Sequence, residues 1–97
     1  MKPVLLAEAR AEFDDAIDRY AKHASPLIAE KFIAEFEHAM RLVVEHPQLG
    51  TPISQNARAL MFRGFPYKLI YRTAPDTLFI VAVAHQRRRP GYWGKRR

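Results

Sequence analysis

Apolar residues in the first half of the chain recur every three or four positions, in two separate stretches. The first stretch begins at Ala7 and is apolar on one side only, at Leu6, Ala9, Phe13, Ile17, Tyr20 and Ala24. The second follows Ser25 and Pro26, which suit a helix N-cap and the first helical position, and it stops before Pro47. This spacing predicts two one-sided helices joined by a short connection, and therefore an antiparallel helical hairpin.

After a connecting loop over residues 47–58 the apolar period falls to two, and β-branched and aromatic residues become frequent. The pattern predicts strands at residues 59–63, 67–73 and 77–84. The last of these is apolar on both faces, which favours a position inside the sheet. With a short strand at residues 2–6, the order of elements is β-α-α-β-β-β. We therefore predict an α+β fold in which the helical hairpin packs on one face of a small antiparallel sheet.

Length and composition agree with one small domain. The chain has 97 residues, of which 48% are hydrophobic, and this is enough to build a single core without cross-links. It contains no cysteine and its histidines lack metal-ligand spacing, so we expect no disulfide, metal or cofactor. The longest apolar run, residues 78–84, is too short for a membrane span. We predict a single domain over residues 1–97, ending in a basic segment at 85–97, in a cytoplasmic protein without a membrane partner.

Charge is distributed unevenly between the two halves of the chain. Residues 1–50 contain six Lys or Arg and nine Asp or Glu, whereas residues 51–97 contain ten and one. Since the helices of one hairpin cover only one face of the sheet, the basic residues of the second half are expected on the other face. The candidates are Arg63, Lys68, Arg72, Arg87, Arg88 and Arg89. A basic face of this kind predicts an anionic partner, most often nucleic acid or a nucleoprotein.

Two motifs in the second half are distinctive in their residues and in their spacing. Residues 63–72 read RGFPYKLIYR and, after an apolar strand, residues 84–93 read AHQRRRPGYW. With EHP at residues 45–47 and the order of elements, the chain resembles the RelE/ParE superfamily of toxins from bacterial type II toxin-antitoxin systems, which include plasmid-stabilisation modules. The resemblance implies a growth-arresting protein that a cognate antitoxin neutralises in a hetero-oligomeric complex.

The resemblance leaves two targets open. RelE-like members cleave messenger RNA on the ribosome, and ParE-like members inhibit DNA gyrase without catalysis. RNA cleavage requires a base for the 2′-hydroxyl, cations around the phosphate and an acid for the leaving oxygen. This chain has Ala59 and Met61 where the RelE pattern carries two lysines. A non-toxic accessory domain that binds nucleic acid is a third alternative.

The resemblance also implies site residues. For catalysis they are Lys68, His85, Arg87 and Tyr92, with His85 as the general base because imidazole titrates near neutral pH. Tyr92 or Trp93 falls near the aromatic residue that stacks on a base, although both are equally suited to folding back onto the sheet as core. For target binding the expected residues are Arg63, Arg72, Arg88, Arg89 and Trp93.

Overall fold

The computed structural model describes residues 1–97 as two layers, a helical hairpin on a sheet. The elements are β1 (Lys2–Leu5), α1 (Ala7–His23), α2 (Pro26–Glu45), β2 (Thr51–Pro52), β3 (Arg58–Met61), β4 (Tyr67–Thr73) and β5 (Thr77–His85). The strands form one sheet in the order β1-β5-β4-β3-β2. The α+β fold, the element order and the inner position of β5 are confirmed. The sheet is mixed, because β1 pairs in parallel with β5 while the other neighbours are antiparallel.

The boundaries of α2 have local causes. It begins at Pro26 because the Ser25 hydroxyl caps it, accepting the Ile28 backbone N–H at 3.1 Å. It ends at Glu45, shortly before Pro47, whose ring disfavours helical backbone at the residue that precedes it. Only two residues separate α1 from α2, so the helices turn back on each other as predicted. Neither helix is long and apolar enough to cross a membrane.

The main core fills the space between the hairpin and one face of the sheet, called here the helical face. Phe13 and Phe36 stack with their ring centroids 4.1 Å apart. Phe32 has no exposed surface and lies edge-on to Tyr67 of β4 at 5.2 Å. Full burial of one such side chain stabilises the fold by roughly 1.5–3 kcal/mol. This core fixes β4 and β5 against the helices, and it thereby fixes the point from which the basic segment leaves the sheet.

The opposite face, called the outer face, is not bare, contrary to our expectation. Its apolar residues form a smaller second core: Ala57, Ile70, Val81, Ala82, Ala84 and Trp93. Trp93 belongs to the basic C-terminal segment, which folds back onto this face, and its side chain is only 3% exposed. The helices do leave this face open, but apolar residues of β4 and β5 point toward it and favour being covered. The end of the chain supplies that cover.

The loop expected over residues 47–58 contains the two-residue strand β2, which pairs with β3. Tyr71 of β4 anchors the loop from inside the fold. Its hydroxyl donates to the Pro47 carbonyl at 2.8 Å and accepts the Gly50 backbone N–H at 2.9 Å. A Cβ atom at residue 50 would lie 2.7 Å from that hydroxyl oxygen, so this close approach requires glycine.

Candidate functional site

The end of the basic segment, residues 90–97, forms a strap on the outer face of the sheet. Arg72 of β4 holds the strap, because its guanidinium donates to the carbonyl of Arg96 at 2.8 Å and to that of Gly94 at 3.3 Å. The same guanidinium lies over the Trp93 ring, 5.3 Å from the centroid. Arg72 and Trp93 were both expected to bind a target. The structure engages both in contacts within the chain, which for Trp93 is the alternative of folding back as core, and their role toward a target stays a prediction.

Glu12 of α1 is a second anchor for the strap, and one that sequence analysis missed. Its carboxylate accepts the Tyr92 hydroxyl at 2.6 Å and both Nη atoms of Arg96, at 2.9 and 3.1 Å. It also accepts the Val83 backbone N–H at 3.1 Å, while Arg96 donates to the Val81 carbonyl at 3.1 Å. The Glu12 and Arg96 side chains are only 15% and 17% exposed. A largely buried ion pair is favourable when further hydrogen bonds satisfy it, as they do here.

These two side chains occupy an open edge of the sheet. β1 pairs with β5 only from Thr77 to Ile80, so the rest of β5 has no neighbouring strand on that side. Glu12 supplies an acceptor and Arg96 a donor in place of that strand. The two residues are 84 positions apart in the chain. Within α1, Glu12 occupies a polar position like those of the other acidic residues of the helix. For this reason no sequence signal identifies the contact.

Tyr92, a candidate catalytic residue, has both its proton and its ring engaged. Burial, followed by the hydrogen bond to Glu12 and the charge of that carboxylate, raises the pKa of Tyr92 well above its ordinary value of 10.0. The phenol therefore stays protonated at neutral pH and donates to Glu12. The guanidinium of Arg88 lies 3.8 Å from the ring centroid, and that of Arg96 lies 5.1 Å away. The ring is thus already used in cation–π contacts.

The structure places Lys68 and His85 on opposite faces of the sheet. In the register of β4 and β5, Lys68 faces Ala84 and Tyr67 faces His85. Successive residues of a strand point to opposite faces. Ala84 belongs to the outer core, so Lys68 lies on the outer face, whereas His85 lies edge-on to the Tyr67 ring at 5.0 Å on the helical face. The expected acid-base set is therefore not assembled in one place.

The remaining arginines of the prediction fall into two groups. Arg63 lies in the turn after β3, where its backbone N–H donates to Glu35 of α2 at 2.8 Å and its Nε lies 3.6 Å from the same carboxylate. Arg87, Arg88 and Arg89 are exposed in the turn that follows β5, and none of them forms an ion pair within the chain. The free arginines of the predicted set therefore cluster at the end of β5 and do not spread over the sheet face.

A cleft of about 650 Å³ lies between α1 and the end of β5. α1 contributes Asp15 and Arg19 to its lining, and the end of β5 and the turn beyond contribute His85, Arg87 and Arg88. The Nδ1 atom of His85 accepts the Arg87 backbone N–H at 3.0 Å, which places the proton of the neutral imidazole on Nε2. The cleft therefore combines guanidinium and imidazole donors, which bind carboxylates and phosphates, with two carboxylates: Asp15, and Glu12, which is already paired with Arg96.

Comparison with known proteins agrees with this fold. The family model of the ParE toxin of the type II toxin-antitoxin system parDE matches residues 4–90. Among solved structures, a chain described as "Chromosomal ParDE TA system from P. aeruginosa" superposes with a TM-score of 0.78 at 19% identity, covering 88% of this chain and 95% of that chain. No curated protein sequence matches the chain significantly. The structural likeness shows the fold, and the match over residues 4–90 shows that the chain belongs to the ParE toxin family, within the RelE/ParE superfamily.

Proposed function

We propose that this type II toxin arrests growth by binding DNA gyrase, without catalysis of its own. Within the superfamily, resemblance to the ParE branch implies gyrase as the target, and the family model that matches is that of ParE. The observation that favours contact over RNA cleavage is the position of Lys68 and His85 on opposite faces of the sheet. A general base and all the cations that bind the phosphate must reach the same scissile bond. Here His85 shares its cleft with Arg87, but the sheet separates it from Lys68.

Other candidate residues support the same conclusion. Tyr92 is held protonated by burial and by its hydrogen bond to Glu12, so it is unsuited to take a proton from RNA. Ala59 and Met61 occupy β3, where the RelE pattern has lysines, and neither side chain carries a charge. Arg87 lies beside His85 in the cleft, but Lys68, the other cation of the expected catalytic set, lies on the outer face.

The turn of Arg87, Arg88 and Arg89 is the proposed contact surface for the target. The turn is anchored at both ends, because the Arg88 N–H donates to the His85 carbonyl at 3.0 Å and the Tyr92 N–H donates to the Arg89 carbonyl at 3.3 Å. Three unpaired guanidinium groups on such a turn suit an acidic protein surface or the DNA phosphates of a gyrase complex.

A cognate antitoxin completes the proposed system. The similar solved chain comes from a ParDE toxin-antitoxin system. We propose that the antitoxin of this chain forms a hetero-oligomer with it and covers the same arginine turn. Covering that turn is enough to prevent the contact with gyrase.

The test compares the two targets in parallel. Purified toxin is added to host DNA gyrase with plasmid DNA and, separately, to translating ribosomes with a defined messenger RNA. We expect loss of supercoiling, accumulation of gyrase-bound DNA breaks and intact messenger RNA. The double variant Arg87→Ala/Arg88→Ala should inhibit at least about ten-fold less, because it removes two steering and contact charges. Arg41→Ala changes an exposed arginine of α2 outside the turn and should inhibit like the unchanged chain.

Two other results would contradict the proposal. Cuts within codons of ribosome-bound messenger RNA, with gyrase unaffected, would favour RelE-like cleavage. Normal growth of cells that produce the folded chain without antitoxin would favour the non-toxic accessory domain.

A further inference from the structure

We propose that the cleft between α1 and the end of β5 is the docking site for a segment of the antitoxin that carries a carboxylate and a cation close together. The inference rests on neutralisation by an antitoxin, as proposed above, and does not depend on gyrase being the target. Its basis is a set of unpaired charges of both signs on the walls of the cleft.

The cations of the cleft have no acidic partner within the chain. The four ion pairs of the structure include neither Arg19 nor Arg87 nor Arg88. Arg19 is spaced four residues from Asp15, which suits an ion pair along a helix. Its Nη2 atom instead donates to the Tyr67 hydroxyl at 2.8 Å, at the wall of the cleft. Three guanidinium groups and the Nε2–H of His85 are therefore left to bind an external acid.

Asp15 differs from its neighbours on α1. Asp14 pairs with Arg10 at 3.3 Å, and Asp18 pairs with Lys22 at 3.0 Å, each across one turn of the helix. Asp15 forms no ion pair and lines the cleft beside the arginines. The cleft therefore presents a negative site next to its positive ones.

This mixture of charges favours a protein segment over a nucleic acid. A nucleic acid backbone carries a negative charge at every nucleotide, and it would meet Asp15 as well as the arginines. A protein segment with one acidic and one basic side chain can pair with both signs at once. A nucleic acid would also gain little by stacking, because the Tyr92 ring in the cleft is already in contact with Arg88 at 3.8 Å.

Occupation of the cleft would explain neutralisation directly. A carboxylate binds a guanidinium through two parallel hydrogen bonds, which fix its orientation. Arg87 and Arg88 belong both to the cleft and to the proposed target-contact turn. A carboxylate bound to them occupies donors of two of the three arginines of that turn, compensates one of its positive charges and places protein in front of it.

The affinity of the toxin for the protein encoded by the adjoining reading frame tests the proposal. Arg88→Glu should weaken binding at least ten-fold, because it places a carboxylate where the partner's carboxylate binds. Lys95→Glu makes the same change at an exposed cation of the strap outside the cleft, and it should change the affinity less than three-fold. Thermal unfolding and far-ultraviolet circular dichroism confirm that each variant is folded.

Asp15→Lys decides between the two classes of ligand by the sign of its effect. A protein segment whose cation pairs with Asp15 should bind several-fold more weakly, whereas the control Asp14→Lys, outside the cleft, should change the affinity less than three-fold. A nucleic acid should bind more tightly, because a repulsive charge is removed, and a 20-nucleotide RNA and a DNA duplex are the probes for that case.

Equal effects of Arg88→Glu and Lys95→Glu on antitoxin affinity would overturn the proposal. So would an unchanged antitoxin affinity of Asp15→Lys together with tighter RNA or DNA binding, since the cleft would then belong to a nucleic acid. The toxin could show the expected antitoxin affinities in these variants and still leave gyrase uninhibited. That result would refute the proposed target and leave the cleft assignment intact.

Discussion

The two faces of the sheet are held by different kinds of interaction. On the helical face, 14 buried residues form the core, and apolar packing around Phe32 provides its cohesion. On the outer face only 6 residues form the core, and the strap that covers it depends on the hydrogen bonds of Arg72 and on the ion pair between Glu12 and Arg96. From this difference we expect the strap to detach from the sheet in a local opening, at a lower free energy than global unfolding.

The comparison matters for function because the arginine turn lies between the two regions. One end of the turn continues from β5, which both cores hold, and the other end continues into the strap. The orientation of Arg87, Arg88 and Arg89 therefore depends on the weaker region as much as on the stronger one. Changes that release the strap should weaken target binding without unfolding the protein.

The largest effect is expected from a substitution that destabilises both faces of the sheet together. Phe32→Ala deletes a ring with no exposed surface and should lower the free energy of unfolding by about 3–5 kcal/mol, through lost burial and a residual cavity. Urea denaturation followed by circular dichroism measures the loss. Leu27→Ala, at an exposed position of the same helix, should cost less than about 0.5 kcal/mol. Similar losses in the two variants would contradict the assignment of the main core.

An intermediate effect is expected from a substitution that releases the strap and leaves the main core intact. Glu12→Gln removes the charge that holds Arg96 and should weaken docking of the strap by about 1–3 kcal/mol. We expect a red shift of Trp93 emission and faster hydrogen exchange at the Val83 amide, with a smaller change in the urea midpoint of the whole domain. Glu37→Gln, an exposed acid of α2, is the control. Unchanged Trp93 emission in Glu12→Gln would show that the ion pair does not hold the strap.

The smallest effect is a dependence of strap docking on alkaline pH. Burial and the Glu12 carboxylate raise the pKa of Tyr92 in the folded protein above the ordinary value of 10.0. A raised pKa means that the protonated phenol stabilises docking fully below pH 10, and that this contribution is lost as the pH rises above that value. Emission of Trp93 between pH 8 and pH 11 should report the onset of release.

Tyr92→Phe is the matched control for the pH series. It keeps the ring but lacks the ionisable hydroxyl, so the alkaline part of the transition should disappear while the other tyrosines remain. The same variant should show a less stable strap at neutral pH, because the hydrogen bond to Glu12 is lost. An identical alkaline transition in both proteins would contradict the role given to Tyr92.

Local sequence patterns predict those parts of the fold that have local causes. The Ser25 cap and Pro47 delimit α2 through contacts with residues nearby in the chain. The apolar residues on both faces of β5 predict its inner position, since each face must be covered. The strand β2 was missed because two residues, one of them Pro52, carry no detectable alternation.

The site was less predictable because its contacts join distant parts of the chain. The residue types identify a basic segment, and they place Arg87, Arg88 and Arg89 at the end of a buried strand. They do not show what covers the outer face, since a tryptophan has the same identity in a sequence whether it stacks on a ligand or packs on a sheet. Glu12 could not be found from its neighbours, because its partners lie in β5 and in the strap.

The closure of β5 by Glu12 and Arg96 also bears on how copies of the toxin behave toward one another. A long unpaired strand is a template for sheet growth between molecules and for aggregation. On one side of this sheet the free part of β5 is occupied by side chains and the short β1 contains Pro3, and on the other side β2 has two residues and includes a proline. The sheet edges therefore disfavour association between copies of the toxin while no antitoxin is bound.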